Sequence, residues 1–169
     1  MSARQQKASR ASTIKDAKLS AETTRAASGR SRLLYGIAAL LSLFGLADAI
    51  YLTINHLTGE TARCTVTSGC NEVLGSAYAS IGGVPVAAAG ALAYFAVFSL
   101  ATLSLFGYGR ARMLLALVVA LMLLATLWLL FVQAFVLHKY CEYCLFSAAI
   151  TLILSGIVVA LRYKAKDEG

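Results

Sequence analysis

The four cysteines are the residues of this 169-residue chain whose type and spacing could do chemistry. Cys64 and Cys70 are separated by five residues in "RCTVTSGCNE", and Cys141 and Cys144 form a C-x-x-C pair in "HKYCEYCLF". Paired thiols can bind a metal, close a structural disulfide or exchange electrons. Which of these they do depends on where the rest of the chain places them.

The composition predicts that lipid is the solvent for most of this chain. Hydrophobic residues make up 59% of it, and its mean hydropathy is +0.74, whereas soluble domains are about 45–50% apolar. The net charge of +7 could suggest nucleic acid. Eight of the fifteen Lys and Arg residues, however, lie within the first 32 positions. We therefore expect a membrane lipid partner and no nucleic acid.

Four apolar runs are long enough to cross a bilayer, which takes about 20 helical residues. They cover residues 33–55, 85–105, 113–137 and 144–161. Short links join the second run to the third and the third to the fourth, which favours antiparallel neighbours. The sequence therefore predicts an all-α membrane protein, a four-transmembrane-helix bundle over residues 33–161. The outer loop, residues 57–84, is the one link long enough to hold structure of its own.

The basic residues predict which way the bundle faces. Residues 1–32 are rich in Ser, Ala, Lys and Arg and lack aromatic residues, so we expect a disordered cytoplasmic tail. A second short tail follows over residues 162–169. The two tails and the link between the second and third runs carry thirteen Lys and Arg residues, whereas the opposite side carries only Arg63 and Lys139. The positive-inside rule then places both termini in the cytoplasm and all four thiols on the outer, oxidising face.

Three interpretations of the cysteines remain open on the residues alone. A four-thiolate metal site is disfavoured because C-x₅-C is longer than the usual spacing and an oxidising compartment competes for the thiols. A non-catalytic scaffold with a disulfide-stapled outer loop is the second. The third is electron transfer, since a helix N-terminus lowers the pKa of a C-x-x-C thiol and makes it a good leaving group. An outer pair could then pass electrons to an inner pair, and a quinone is a natural acceptor in lipid. We favour this third interpretation.

Several motifs in one order resemble the bacterial homologues of vitamin K epoxide reductase. They are the C-x₅-C pair, Ser76 six residues after its second cysteine, Gly-Val-Pro opening the second run, and CEYC opening the fourth. The resemblance covers about residues 45–160. A convergent family of periplasmic oxidases carries its C-x-x-C pair in the first outer loop instead, which is the reverse of the order found here.

The resemblance implies a quinone-dependent thiol oxidoreductase that supports disulfide bond formation outside the cytoplasm. A thioredoxin-like (DsbA-like) partner would reduce Cys64 and Cys70, these would reduce Cys141 and Cys144, and Cys144 would reduce menaquinone or ubiquinone. The implied location is the bacterial inner membrane. Because the chain ends at Gly169 without a thioredoxin-like domain, we expect the partner to act in trans. The segment after Cys70 should form a short helix that caps the quinone pocket.

The resemblance also implies the residues of the quinone pocket, and no metal. Animal members carry an asparagine where Val86 stands and a tyrosine where Ala148 stands, so we expect a respiratory quinone as substrate and no epoxide. Ser76 would support the inner cysteines or the quinone ring by hydrogen bonding. The full predicted set is Leu74, Ser76, Tyr78, Val86, Gln133 and Ala148.

Two further polar positions carry predictions of their own. Asp48 lies inside the first run, where a carboxylate is costly and usually functional. It could deliver protons to the quinone or hold helices together through hydrogen bonds. Tyr94 is expected, with the other tyrosines of the outer half, in an aromatic belt at the membrane interface, although some of them could flank the quinone.

Overall fold

The computed structural model describes residues 3–59 and 70–167 of the chain. Over these residues the chain forms five α-helices, a π-helix, a 3₁₀ turn and a two-stranded hairpin. In chain order the elements are α1 (Ala3–Thr58), α2 (Cys70–Leu74), a 3₁₀ turn (Ala77–Ala79), β1 (Ser80–Ile81), β2 (Val84–Pro85), α3 (Val86–Leu105), α4 (Gly109–Phe131), the π-helix (Val132–Leu137) and α5 (Glu142–Asp167).

Four helical segments are long and apolar enough to span a membrane. They are Gly29–Thr58, Val86–Leu105, Gly109–Leu137 and Glu142–Tyr163. Large apolar side chains such as Leu92 and Phe95 point outward, as expected where lipid is the solvent. The predicted all-α, four-helix membrane architecture is confirmed, and the chain is an integral membrane protein.

Helices extend into both tails where the structure describes them. The chain divides into two compact units, residues 1–34 and 35–169, and α1 begins at Ala3 within the first. No Gly or Pro interrupts residues 3–28, and Ala, Lys and Arg, which are good helix formers, recur throughout them. At the other end, α5 continues past residue 161 to Asp167. The assignment of both tails to the cytoplasm stays a prediction.

The segment between Cys70 and α3 is more structured than a single capping helix. The predicted short helix is present as α2, which has only five residues. A hairpin follows, in which Ser80 pairs with Pro85 and Ile81 with Val84. Its two loop residues, Gly82 and Gly83, have φ of 60° and 82°, the left-handed conformation that a two-residue hairpin loop needs and that glycine adopts without strain. The sequence "IGGV" is typical of such a hairpin, in addition to preceding the second spanning helix.

Tyr94 corrects the prediction of an interfacial tyrosine belt, because it is a core residue that joins α3 to α5. Its side chain is 1% exposed, and its hydroxyl lies 3.0 Å from the carbonyl oxygen of Ser147, 2.8 Å from the Ser147 hydroxyl and 3.1 Å from the Thr151 hydroxyl. Tyr94 shares a buried helix face with Val97 and Ala101, a periodicity visible in the sequence.

Gly45 lets α1 approach this tyrosine. A Cβ atom at Gly45 would overlap the aromatic ring of Tyr94. Small residues commonly permit such close helix contacts in membranes. The hydrogen-bonded position of Tyr94 therefore depends on the absence of a side chain at residue 45.

We predict that Gly45→Ala will destabilise the bundle by about 1–3 kcal/mol, because the ring must move and strain its hydrogen bonds. Gly36→Ala is the matched control: it lies in the same helix, and a Cβ there meets no atom within 4 Å. Denaturant unfolding in detergent micelles measures both. Equal stability of the two variants would contradict the packing described here.

Candidate active site

A cavity of about 380 Å³ lies among α1, the segment after Cys70, α3, α4 and α5. Its walls are mostly apolar and its volume falls within the usual range for a small-molecule site. All six residues of the predicted quinone pocket line it: Leu74, Ser76, Tyr78, Val86, Gln133 and Ala148.

The two inner cysteines have different surroundings. Cys144 lines the cavity. Cys141 is fully buried and belongs to an apolar cluster with Cys70 and Val73, against which Leu137 and Cys144 pack. One thiol of the C-x-x-C pair therefore faces the cavity, and the other is buried in the cluster that contains Cys70.

Three of the four cysteines lie within the described residues. Cys70 is disulfide-bonded, whereas Cys141 and Cys144 are not bridged to each other. Cys64 lies outside the described residues, so its role stays a prediction.

Cys141 caps the N-terminus of α5. Its carbonyl oxygen accepts the first hydrogen bond of the helix, from the N–H of Leu145 at 3.0 Å. Its sulfur accepts a hydrogen bond from the N–H of Cys144 at 3.4 Å, the position three residues on that an N-cap side chain normally satisfies.

This position affects the ionisation of Cys141. Hydrogen bonding from the Cys144 thiol holds the pKa of Cys141 below its ordinary value, although burial acts in the opposite direction. Backbone N–H groups of Cys144 and Tyr143 lower the pKa further. Of the two inner thiols, Cys141 is thus the one adjacent to Cys70 and also the one stabilised as a thiolate at a helix N-terminus.

Gln133 holds the backbone of Cys141 in place. Its side chain is 3% exposed, and its Oε1 accepts a hydrogen bond from the N–H of Cys141 at 3.1 Å. Its own carbonyl oxygen accepts from the N–H groups of His138 and Lys139. Gln133 therefore lines the cavity and also bonds to the backbone at the start of the fourth span.

The π-helix and His138 complete the turn that delivers Cys141. The π-helix widens the last turn of the third span, a feature often found at functional sites. His138 then adopts a left-handed conformation with φ of 51°. Nothing in the sequence signalled the π-helix, because apart from Gln133 its residues are apolar like the rest of the span.

Two contacts near the start of α5 join neighbouring segments. The Lys139 ammonium lies 3.2 Å from the Glu72 carboxylate, which joins the turn before Cys141 to α2. The rings of Tyr51 and Tyr143 pack at 5.3 Å between α1 and α5. Exposed ion pairs contribute little stability, so the buried cysteine cluster is the stronger part of this junction.

Ser76 and Asp48 contribute polar atoms to the cavity region. The Ser76 hydroxyl donates to the carbonyl oxygen of Val73 at 2.7 Å, so it stabilises its own turn, and its predicted bond to the cysteines or the ring stays a prediction. Asp48 lines the cavity, and within the described residues its buried Oδ2 has no hydrogen-bond partner. Across residues 3–59 and 70–167, no group of three or more His, Cys, Asp or Glu side chains could hold a metal ion.

A helical membrane bundle with a C-x-x-C pair at the start of a helix, one thiol on an apolar cavity, defines a membrane thiol oxidoreductase. The model of the vitamin K epoxide reductase family matches residues 37–159. The chain therefore belongs to the vitamin K epoxide reductase family, whose members are quinone-linked and work with thioredoxin-like partners.

We predict that Gln133→Met will destabilise the protein by about 1–3 kcal/mol, because the N–H of Cys141 is left buried without an acceptor while the side-chain volume is kept. Denaturant unfolding in detergent measures this change. Ser99→Ala is the control, since it removes an exposed hydrogen bond to Phe95 and should change stability by less than about 0.5 kcal/mol. A loss no greater than that of the control would refute the anchoring role of Gln133.

We predict that the Cys141 thiol ionises at a pH below the ordinary thiol value of about 8.5. Adding Cys144→Ala removes the main hydrogen bond that lowers the pKa of Cys141 and should move the midpoint of ionisation to higher pH. The outer cysteines are replaced by alanine in both proteins, and the ultraviolet absorbance of the thiolate follows ionisation without a reagent that must reach the buried sulfur. An unchanged midpoint would contradict the stated cause.

Proposed function

We propose that this protein oxidises a thioredoxin-like (DsbA-like) protein outside the cytoplasm and passes the electrons through its four cysteines to a membrane quinone. The observation that carries the proposal is the division of the inner pair. Cys141 is buried in one cluster with Cys70 and Val73, and Cys144, at the edge of that cluster, lines the apolar cavity. The outer pair could thus pass electrons to Cys141, and Cys144 could pass them to a molecule in the cavity.

Each transfer in the proposed relay is a thiol–disulfide exchange, which conserves electrons because one disulfide forms as another breaks. A partner thiolate attacks Cys64, and the partner leaves oxidised with Cys64 and Cys70 as thiols. Cys70 then attacks Cys141 of an oxidised inner pair and displaces Cys144. Attack of Cys64 on Cys70 finally expels Cys141, whose lowered pKa makes it a good leaving group.

The cavity fits a quinone ring. Its volume of about 380 Å³ and its mostly apolar wall suit a flat apolar molecule. A bound quinone supplies an acceptor for two electrons and two protons. Leu74, Val86 and Ala148 would contact its apolar surface, while Ser76, Tyr78 and Gln133 would contribute the polar edge. Because Val86 and Ala148 cannot donate hydrogen bonds, we infer a respiratory quinone, either menaquinone or ubiquinone, instead of an epoxide.

The proposed orientation places both termini in the cytoplasm, in the inner membrane of a bacterial cell. It rests on the excess of Lys and Arg in the tails and in the link between α3 and α4. The cysteine segment and the start of α5 then face outward, where an extracytoplasmic partner can reach Cys64 in trans.

The direct test is quinol formation by the purified protein. Reduced thioredoxin-like protein and a water-soluble ubiquinone or menaquinone analogue are added, and quinone absorbance is followed. We expect quinone reduction that requires both the partner and this protein. A scaffold with a stapled outer loop would give none, and that result would overturn the proposal.

Removing single cysteines should strand different intermediates of the relay. A partner that keeps only its attacking cysteine should form a mixed disulfide with Cys64 of the wild-type protein by displacing Cys70, whereas Cys70→Ala protein has no outer disulfide to attack and should form none. Cys141→Ala should leave the outer pair reducible but unable to pass electrons inward. Cys144→Ala should abolish quinone reduction while permitting a bridge between Cys70 and Cys141. Non-reducing gels and mass spectrometry detect these species.

Two outcomes would show that the proposed direction of electron flow is wrong. One is quinone reduction by Cys144→Ala protein at a near-normal rate. The other is a partner trapped on Cys141 instead of Cys64.

A further inference from the structure

Asp48 is a titratable group on the cavity wall that the thiol relay does not use. It lies in the spanning part of α1, and Leu52 and His56 follow it on the same helix face at intervals of four residues and line the same cavity. Its Oδ2 is buried and has no hydrogen-bond partner among the described residues. A buried, unpaired carboxylate oxygen at membrane depth is costly and calls for a physical reason.

A purely structural role would need a donor from a neighbouring helix, and four of the hydroxyls that line the cavity bond to other groups. The hydroxyls of Tyr94, Ser147 and Thr151 bond to one another or to the backbone of α5, and the Ser76 hydroxyl donates to Val73. No Lys or Arg is among the described residues that line the cavity. The side chain therefore holds no pair of helices together through Oδ2.

A carboxyl group in these surroundings is best accommodated as the neutral acid. An apolar wall without a paired cation disfavours the charge. The neutral acid carries one O–H donor, which needs an acceptor that the protein does not provide at Oδ2. A ligand with a carbonyl oxygen in the cavity would provide it.

We propose that Asp48, as the neutral acid, donates a hydrogen bond to a carbonyl oxygen of the bound quinone and supplies one of the protons that its reduction consumes. This inference rests on the proposed function and adds a catalytic residue to it. It also accounts for Val86 and Ala148, which cannot donate: the donor comes from α1 instead.

The step balances without any further oxidant. Oxidation of the thiols of Cys141 and Cys144 to a disulfide releases two electrons and two protons, and conversion of the quinone to the quinol takes up two of each. Asp48 gives one proton to the quinone oxygen and regains one of the protons released by the thiols. Its own state is unchanged after each turnover.

The test compares Asp48→Asn, Asp48→Glu and Asp48→Leu in single-turnover reactions of the pre-reduced protein with a water-soluble ubiquinone analogue. Asp48→Asn keeps a donor but carries no acidic proton, so the rate should fall about 100-fold, while quinone binding, measured as thermal stabilisation of the protein, should stay near that of the wild type. Asp48→Leu should lose both. Asp48→Glu, which keeps the acid, should recover most of the rate.

A spectroscopic measurement tests the hydrogen bond independently of activity. Adding quinone to the oxidised wild-type protein should shift the infrared C=O band of a protonated carboxyl group, and this shift should be absent in Asp48→Asn. Ser42→Ala is the matched control. Ser42 is fully buried in the same helix and bonds to the Ala39 carbonyl oxygen, so this variant should keep the infrared shift and the rate.

The outcomes separate this inference from the proposed function. If the wild-type protein reduces no quinone, the proposed function itself fails. If the wild type is active and Asp48→Asn matches its rate, or if the wild type shows no carboxyl band shift, the assignment of Asp48 is wrong. Reduction of the outer pair by the partner reports correct folding of each variant. Should Asp48→Asn fail that check, the rate of Asp48→Glu and the wild-type infrared shift decide the question.

Discussion

The hydrogen bond between the Gln133 side chain and the N–H of Cys141 is the contact on which the active-site geometry depends. It joins the end of the third span to the start of the fourth, across a turn that a π-helix and a left-handed His138 shape. With its N–H satisfied, Cys141 can stand at the N-cap of α5 and offer its sulfur to the N–H of Cys144. Hydrogen bonds to the backbone N–H groups of Cys141 and Cys144 therefore position the C-x-x-C pair as much as packing does.

The consequence of this geometry is a separation of roles between two thiols that are only three residues apart. Cys141 is the N-cap, before the first helical residue Glu142, whereas Cys144 lies within the first turn of α5. Cys141 is buried in the cluster with Cys70, and Cys144 lines the cavity. The start of one helix therefore holds two thiols in different surroundings.

The cavity wall is mostly apolar, and its few polar groups differ in whether they have hydrogen-bond partners. The hydroxyls of Tyr94, Ser147 and Thr151 satisfy one another and join α3 to α5, so they serve the fold. Asp48 lines the same cavity, and among the described residues its buried Oδ2 has no hydrogen-bond partner. This carboxyl group therefore does not serve the fold in the way the hydroxyls do. The space for this arrangement depends on Gly45, whose missing side chain leaves room for the Tyr94 ring.

Hydrophobic runs and charge were sufficient to predict the spanning segments, because the thickness of the bilayer sets helix length whatever the tertiary contacts. Cysteine spacing and motif order predicted the family, and the six pocket residues named from the resemblance all line one cavity. The helical tail is consistent with the helix propensity of its residues, and the Gly82–Gly83 hairpin with its two turn glycines.

Three features were decided only by the tertiary structure. They are the π-helix that brings Gln133 to Cys141, the buried position of Tyr94 against Gly45, and the lack of a partner for Asp48 Oδ2. Each depends on contacts between side chains from different parts of the chain, and the local sequence pattern does not encode such contacts. The sequence by itself determined the spans and the thiols; packing decided which thiol faces the outer segment and which faces the cavity.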